Sequence, residues 1–156
     1  MNAKEKTCCF AGNRMVKEEE LEEVKAKIKQ EMIKLIEKGV CSFVCSANLS
    51  FETAAALATI ELREIYEEIK LMIVLPSEGQ DKYWKEEDKE VLKNILHSAN
   101  GIVYIYHDYI FKAMFKRDRC MVNMSQYCIC YLKKSIGSTC YAAKYAKKKK
   151  IKVIYI

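Results

Sequence analysis

Apolar and polar positions divide the chain into short apolar runs that alternate with longer segments of helical period. The first run, Thr7-Cys8-Cys9-Phe10-Ala11, is continuous rather than alternating, as a strand buried on both faces of a parallel sheet requires. It enters a turn at Gly12-Asn13-Arg14, where the glycine permits a tight path and lets a ligand approach the backbone. Between Lys17 and Lys38, Leu21, Val24, Ile28, Met32, Leu35 and Ile36 recur at helical spacing, which predicts an amphipathic helix stopped by Gly39. A strand over Val40–Cys45 leads to the turn Ser46-Ala47-Asn48-Leu49-Ser50, with Ser50 a candidate N-cap. A helix over about Phe51–Glu67 begins alanine-rich, which predicts close packing on the sheet. The next strand, Ile69–Leu75, is expected to end at Pro76.

The loop from Pro76 to Trp84 holds the only proline and the only tryptophan. Beyond it the pattern predicts a helix over Lys85–His97, a strand over Gly101–Tyr106 and a turn at His107–Tyr109. A helix over Phe111–Ser125, a strand over Tyr127–Leu132 and a turn at Ser135–Thr139 come next. A helix to about Lys149 and a strand over Ile151–Ile156 complete the chain. Six strands alternating with five helices predict an α/β fold: one domain over 1–156, doubly wound on a mostly parallel six-stranded sheet. In such sheets ligands bind outside the carboxyl ends of the strands, where strand order reverses, and the first strand usually lies beside that point.

Composition adds limits. Hydrophobic residues make up 51% and charged residues 31%, which fits a globule and argues against disorder. No apolar run approaches the ~20 residues of a membrane-spanning helix. The polar start Met1–Lys6 runs into a strand rather than a signal peptide, so a cytoplasmic location is expected. Eight cysteines suggest a framework, yet six fall in predicted apolar strands, no C-x-x-C pair occurs, and His97 and His107 lie far from them. Reduced, buried thiols are therefore expected, with neither zinc nor another metal.

Charge is uneven. Residues 1–78 hold 11 Lys/Arg against 14 Asp/Glu, and residues 79–156 hold 16 against 7. Six lysines lie between Lys144 and Lys152. Such an end attracts phosphate-bearing partners, although a solvated helix terminus is the simpler reading. No nucleic-acid reader motif accompanies it, so nucleic acid is not expected as a partner.

Several stretches together resemble one family, the SLOG superfamily in its YpsA-like branch. Its opening C-C-F-T-G-H-R type turn is matched by Cys8-Cys9-Phe10-Ala11-Gly12-Asn13-Arg14. A P-F-E-G-Q-x-x-x-W-x-x-x-D type loop is matched by Pro76-Ser77-Glu78-Gly79-Gln80 through Trp84 to Asp88. A K-R-N-R-x-M-V-D type run is matched by Lys116-Arg117-Asp118-Arg119-Cys120-Met121-Val122-Asn123. A G-G-T…E-Y-A-K-K pattern is matched by Gly137-Ser138-Thr139 and Lys144-Tyr145-Ala146-Lys147-Lys148. The resemblance implies a Rossmann-like domain of bacterial or phage origin that binds a nucleotide or nucleotide-derived ligand. Its relatives include the LONELY GUY phosphoribohydrolases, sensors of nucleotide signals, and the DNA-processing protein DprA.

On that resemblance the ligand would meet Gly12, Asn13 and Arg14 at the first turn and Ser46, Asn48 and Glu52 at the second. Glu78 and Gly79 would meet it from the long loop, and Arg117, Gly137, Ser138 and Thr139 from the last two helices. Arg117 offers a fork for phosphate or carboxylate, and a helix start after Thr139 favours an anion. A plain N-cap is the alternative for Ser138 or Thr139, and a surface ion pair for Arg117. Tyr83 and Trp84 offer rings that stack on a base or cover the sheet edge, cover being the simpler reading.

The departures bear on chemistry. The family's glycine-rich G-x-A-x-G-x-D turn is here Ser46-Ala47-Asn48-Leu49-Ser50-Phe51-Glu52, with no glycine. The first-turn histidine is Asn13, and the hydrolases' glutamate aligns with Lys144, which reverses charge at that position. The expectation is thus a binding or sequestering domain without a catalytic residue or cofactor. A nucleotide N-glycosidic hydrolase and an interaction module with a closed pocket are the alternatives. Self-association through Ala113, Met114, Met121 and Met124 is also expected.

Overall fold

The computed structural model describes residues 1–13, 16–106, 112–133 and 137–156. Within them six strands alternate with five helices. The order is β1 (Thr7–Gly12), α1 (Glu18–Ile36), β2 (Ser42–Cys45), α2 (Phe51–Arg63), β3 (Lys70–Ser77) and α3 (Glu86–Ser98). Then come β4 (Gly101–Tyr106), α4 (Ala113–Asn123), β5 (Tyr127–Tyr131), α5 (Ser138–Lys148) and β6 (Lys152–Tyr155). The strands form one parallel sheet in the order β4-β3-β2-β1-β5-β6. The chain steps outward from β1 to β4, then returns to the far side of β1 for β5 and β6. The topological switch therefore lies between β1 and β5.

Side chains alternate across the pleat and build two unequal layers. Cys8, Phe10, Phe43, Cys45, Leu71, Ile73, Leu75, Ile129 and Tyr131 face one side, against α1, α2 and α3. Cys9, Ala11, Val44, Val74, Cys128 and Cys130 face the other, against α4 and α5. Small residues dominate the second side, and α5 answers with Ala142, Ala143 and Ala146. Helices on one face while the chain steps one way, and on the other once it steps back, satisfy right-handed crossovers. The helices also differ in charge: α1, α2 and α3 carry net −2, −1 and −2, whereas α4 and α5 carry +2 and +3.

The expected α/β architecture and strand count hold, with local corrections. β3 runs through Pro76 to Ser77, because β2 has already ended at Cys45, paired with Ile73. The proline's missing N–H thus removes no ladder bond. Cys41 lies just outside β2, which leaves five cysteines in strands, and all eight are free thiols. Ser50 precedes α2 without capping it; its hydroxyl donates instead to the Val16 carbonyl at 3.4 Å. Ala113 and Met121 are buried and are not available to a second copy. The predicted turn at His107–Tyr109 lies outside the described residues. No helix among the described residues is long and apolar enough to cross a membrane.

Candidate functional site

The carboxyl ends of β1 and β2 meet the starts of α2 and α5 beside the switch point. There a cavity of about 40 Å³ is lined by Ala11, Gly12, Ser46, Asn48, Glu52, Arg117, Asp118, Ser138, Thr139 and Ala142. Seven residues predicted from sequence thus converge: Gly12, Ser46, Asn48, Glu52, Arg117, Ser138 and Thr139.

Arg117 and Asp118 are neighbours on α4, and both point inward, 4% and 6% exposed. Arg117 Nε and Nη2 donate to Asp118 Oδ1 at 3.2 and 2.9 Å, and Nη2 also reaches Ser138 Oγ at 3.2 Å. Ser138 in turn donates to Asp118 Oδ2 at 2.5 Å. Arg117 Nη1 is buried with no hydrogen-bond partner among the described residues. Burial raises the Asp118 carboxyl above its usual range, and Arg117 opposes that shift.

Glu52 sits one residue inside α2, almost fully buried, and accepts the Ser46 N–H at 3.2 Å. Burial pushes its carboxyl up to about 7, against the counter-pull of Arg117 and the Ser46 N–H, while Asp118 adds to the rise. The cavity is therefore lined by one guanidinium, two carboxyl groups and three hydroxyls. It can accept and donate hydrogen bonds to a polar group and can hold a proton near neutrality.

The second turn keeps a glycine's backbone without the glycine. Ser50 has φ 63° and ψ −111°, and Ala47 has φ 52°. Gly12 is required by packing: a Cβ there would lie 2.0 Å from the Phe51 ring. Phe51 stacks on Tyr131 with ring centres 5.8 Å apart and fills the space over the first turn.

The other predicted residues lie elsewhere. Asn13 Oδ1 accepts the Lys133 N–H at 2.6 Å, tying the end of β1 to the segment after β5. Arg14 lies outside the described residues. Glu78 is exposed and borders a separate cleft with Leu75 and Tyr104. Gly137, at φ 93°, is the residue before α5, so Ser138 and Thr139 fall inside the helix and neither caps it. Gly79 borders a pocket of about 400 Å³ formed with Asn48, Pro76, Gln80, Lys82, Tyr83, Trp84 and Met114. Asn48 is common to this pocket and the small cavity. Lys144 is exposed. Asp118 is the site residue that sequence reasoning missed; its place beside Arg117 in the matched run was the available signal. No group of three or more His, Cys, Asp or Glu among the described residues is placed to hold a metal ion.

Residues 12–156 match the family model described as the YspA SLOG family. A UPF0398 protein of Bacillus pumilus is 32% identical over 98 residues, 62% of this chain and 53% of that protein. UPF0398 protein YpsA of Bacillus subtilis is 31% identical over 84 residues, 54% of this chain and 47% of that one. The chain spans about half the length of the curated relatives it matches. Among solved structures, DNA processing protein A of Streptococcus pneumoniae superposes with a TM-score of 0.66 at 13% identity, covering 98% of this chain and 50% of that one. DNA processing protein A of Helicobacter pylori, a structure reported for its single-stranded DNA binding mode, gives 0.68 at 16% identity, covering 96% of this chain and 64% of that one. At these identities the two structures speak to the fold.

Proposed function

The chain belongs to the YspA SLOG family, and from that membership we propose that it is a binding module which holds a nucleotide or nucleotide-derived ligand at the carboxyl rim of its sheet and leaves it intact. The observation that carries this reading is Arg117 Nη1, a charged donor buried without an acceptor beside the start of α5. An unsatisfied buried donor costs about 1–3 kcal/mol, more when charged, and an accepting group on a ligand relieves it. The first N–H groups of α5 have no side-chain cap and add the positive end of a helix dipole. At about 40 Å³ the cavity admits one polar group; the rest of the ligand occupies the adjoining space past Asn48.

Cleavage is not part of this reading. Lys144 is exposed where the related hydrolases are expected to carry a glutamate. The buried carboxyl of Glu52 is held by Ser46 rather than by a base or a water-activating partner.

Native mass spectrometry of protein purified from cells, followed by thermal shifts with a nucleotide panel, tests the proposal. The expected result is an intact nucleotide-sized adduct and a rise in melting temperature that Arg117→Ala abolishes. Release of free base would establish the hydrolase instead. Stabilisation by oligo-deoxythymidine alone would transfer to this chain the ligand class reported for the Helicobacter pylori neighbour. A second reading, an interaction module with a closed pocket, is favoured by Phe51 filling the space over Gly12. A flat response to every nucleotide, in the wild type and in Phe51→Ala, would support it and end the first.

A further inference from the structure

We infer that the 400 Å³ pocket beside the cavity is a nucleobase subsite, in which the Trp84 indole is the stacking platform and the Gln80 carboxamide reads the edge of the base. The inference rests on the binding function proposed above and names the part of the ligand that the small cavity cannot hold.

Three observations carry it. The first is chemical contrast. The pocket wall offers the rings of Tyr83 and Trp84, the Met114 thioether, Pro76 and two carboxamides, with Lys82 its single charged residue among the described ones. The adjoining cavity holds Glu52, Arg117 and Asp118. Asn48 stands between them. A ligand matching both must be flat and neutral at one end and hydroxylated or anionic at the other, which is the amphiphilic plan of a nucleotide. The pocket volume lies in the ~300–1,000 Å³ range of small-molecule sites.

The second observation is rigidity. Trp84 is half-buried and rests against the larger apolar layer, so one wall of the pocket is fixed by the core. Backbone bonds from Lys82 N to the Gly79 carbonyl and from Trp84 N to the Asp81 carbonyl, at 3.2 and 3.0 Å, hold the loop that presents it. An indole held in this way stacks on a planar base without first losing rotamer freedom. Tyr83, 89% exposed at the mouth, adds a second ring, with Lys82 Nζ 5.3 Å from its centre.

The third is an unsatisfied donor. Gln80 Nε2 is buried and has no hydrogen-bond partner among the described residues. Asn48 Oδ1 already accepts the Leu49 N–H at 2.9 Å, which orients that carboxamide and leaves its nitrogen as donor. Amide side chains pair with the donors and acceptors along a base edge, and a base carbonyl or ring nitrogen supplies the acceptor that Gln80 lacks.

Trp84 is the only tryptophan of the chain, so its emission reports this pocket alone. The experiment titrates the protein with the four ribonucleoside 5′-monophosphates and with ribose 5-phosphate, reading melting temperature and tryptophan emission together. At least one nucleotide is expected to raise the melting temperature and quench the emission, whereas ribose 5-phosphate leaves the emission unchanged. Trp84→Leu is expected to weaken nucleotide binding about tenfold or more, a usual loss when a stacked ring is removed. Trp84→Phe, which keeps a ring and the packing, should retain most of the affinity. Gln80→Leu should weaken nucleotides and spare ribose 5-phosphate, and this keeps the test open if Trp84→Leu fails to fold. A nucleotide that raises the melting temperature while the emission stays flat and Gln80→Leu binds normally would overturn the subsite and leave the binding function standing. No shift with any probe would remove the binding function itself.

Discussion

Ser50 adopts φ 63° and ψ −111°, a conformation open to glycine and strained for any residue with a Cβ. Its side-chain compensation among the described residues is a 3.4 Å bond to the Val16 carbonyl. Ser50→Gly is therefore expected to stabilise the fold by about 1 kcal/mol, since strain of this kind amounts to roughly 1–3 kcal/mol. For a chain of this size that is a rise of about 3 °C in melting temperature, read by calorimetry. Two residues on, Glu52 keeps its proton in the folded state up to about pH 7, whereas its ordinary value is 4.5. Between those values the unfolded chain binds fewer protons than the folded one, so stability falls as pH rises and the loss is complete above about pH 7. The shift corresponds to about 3 kcal/mol. Urea unfolding across that window should show the decline in the wild type, and Glu52→Gln should flatten it. The strain at Ser50 was half-legible in the sequence, because a glycine-rich turn without glycines must either change path or bear strain. That Asp118 turns inward was not legible: adjacent charges on a helix do not disclose which neighbour will cover them.

At the scale of elements, the site is held by the contact between the end of β1 and the first residue of α2. A methyl group at position 12 would meet the Phe51 ring at 2.0 Å, so Gly12→Ala forces α2 away from the sheet. Overpacking of this kind typically costs ~1–3 kcal/mol. Measured by denaturant unfolding, the loss should be smaller when Gly12→Ala is made in a Phe51→Ala background, because the clash is then gone. The glycine itself was legible as part of a turn; the reason for it was not, since Phe51 lies far along the chain. The strands were easier to read. A run such as Cys8-Cys9-Phe10 is apolar at every position, and only a strand covered on both faces buries all of it. Pro76 misled by one turn of logic: it ends ladders only where a neighbouring strand still waits for its N–H.

For the whole molecule, eight thiols and two unequal layers make a core that is closed to reagents. Six cysteines are buried, and Cys41 and Cys120 are partly exposed. Burial pushes Cys130 up to about 12 and raises Cys8, Cys45 and Cys120 as well. A thiol-specific chromogenic reagent is expected to titrate two sites in the native protein, Cys41 ahead of Cys120, and the other six only after denaturation.

The sheet also separates charge, with helices summing to −5 on one side and +5 on the other. The molecule is in effect a thin capacitor, polarised across the plane of its sheet. The net charge of +6 makes copies repel in dilute buffer despite this polarity, and light scattering would record a positive second virial coefficient that falls as salt shortens the Debye length to about 10 Å. A polyanionic resin would grip the α4–α5 plate first and leave the rim at the carboxyl ends of the strands standing edge-on to the solvent, open to whatever diffuses past.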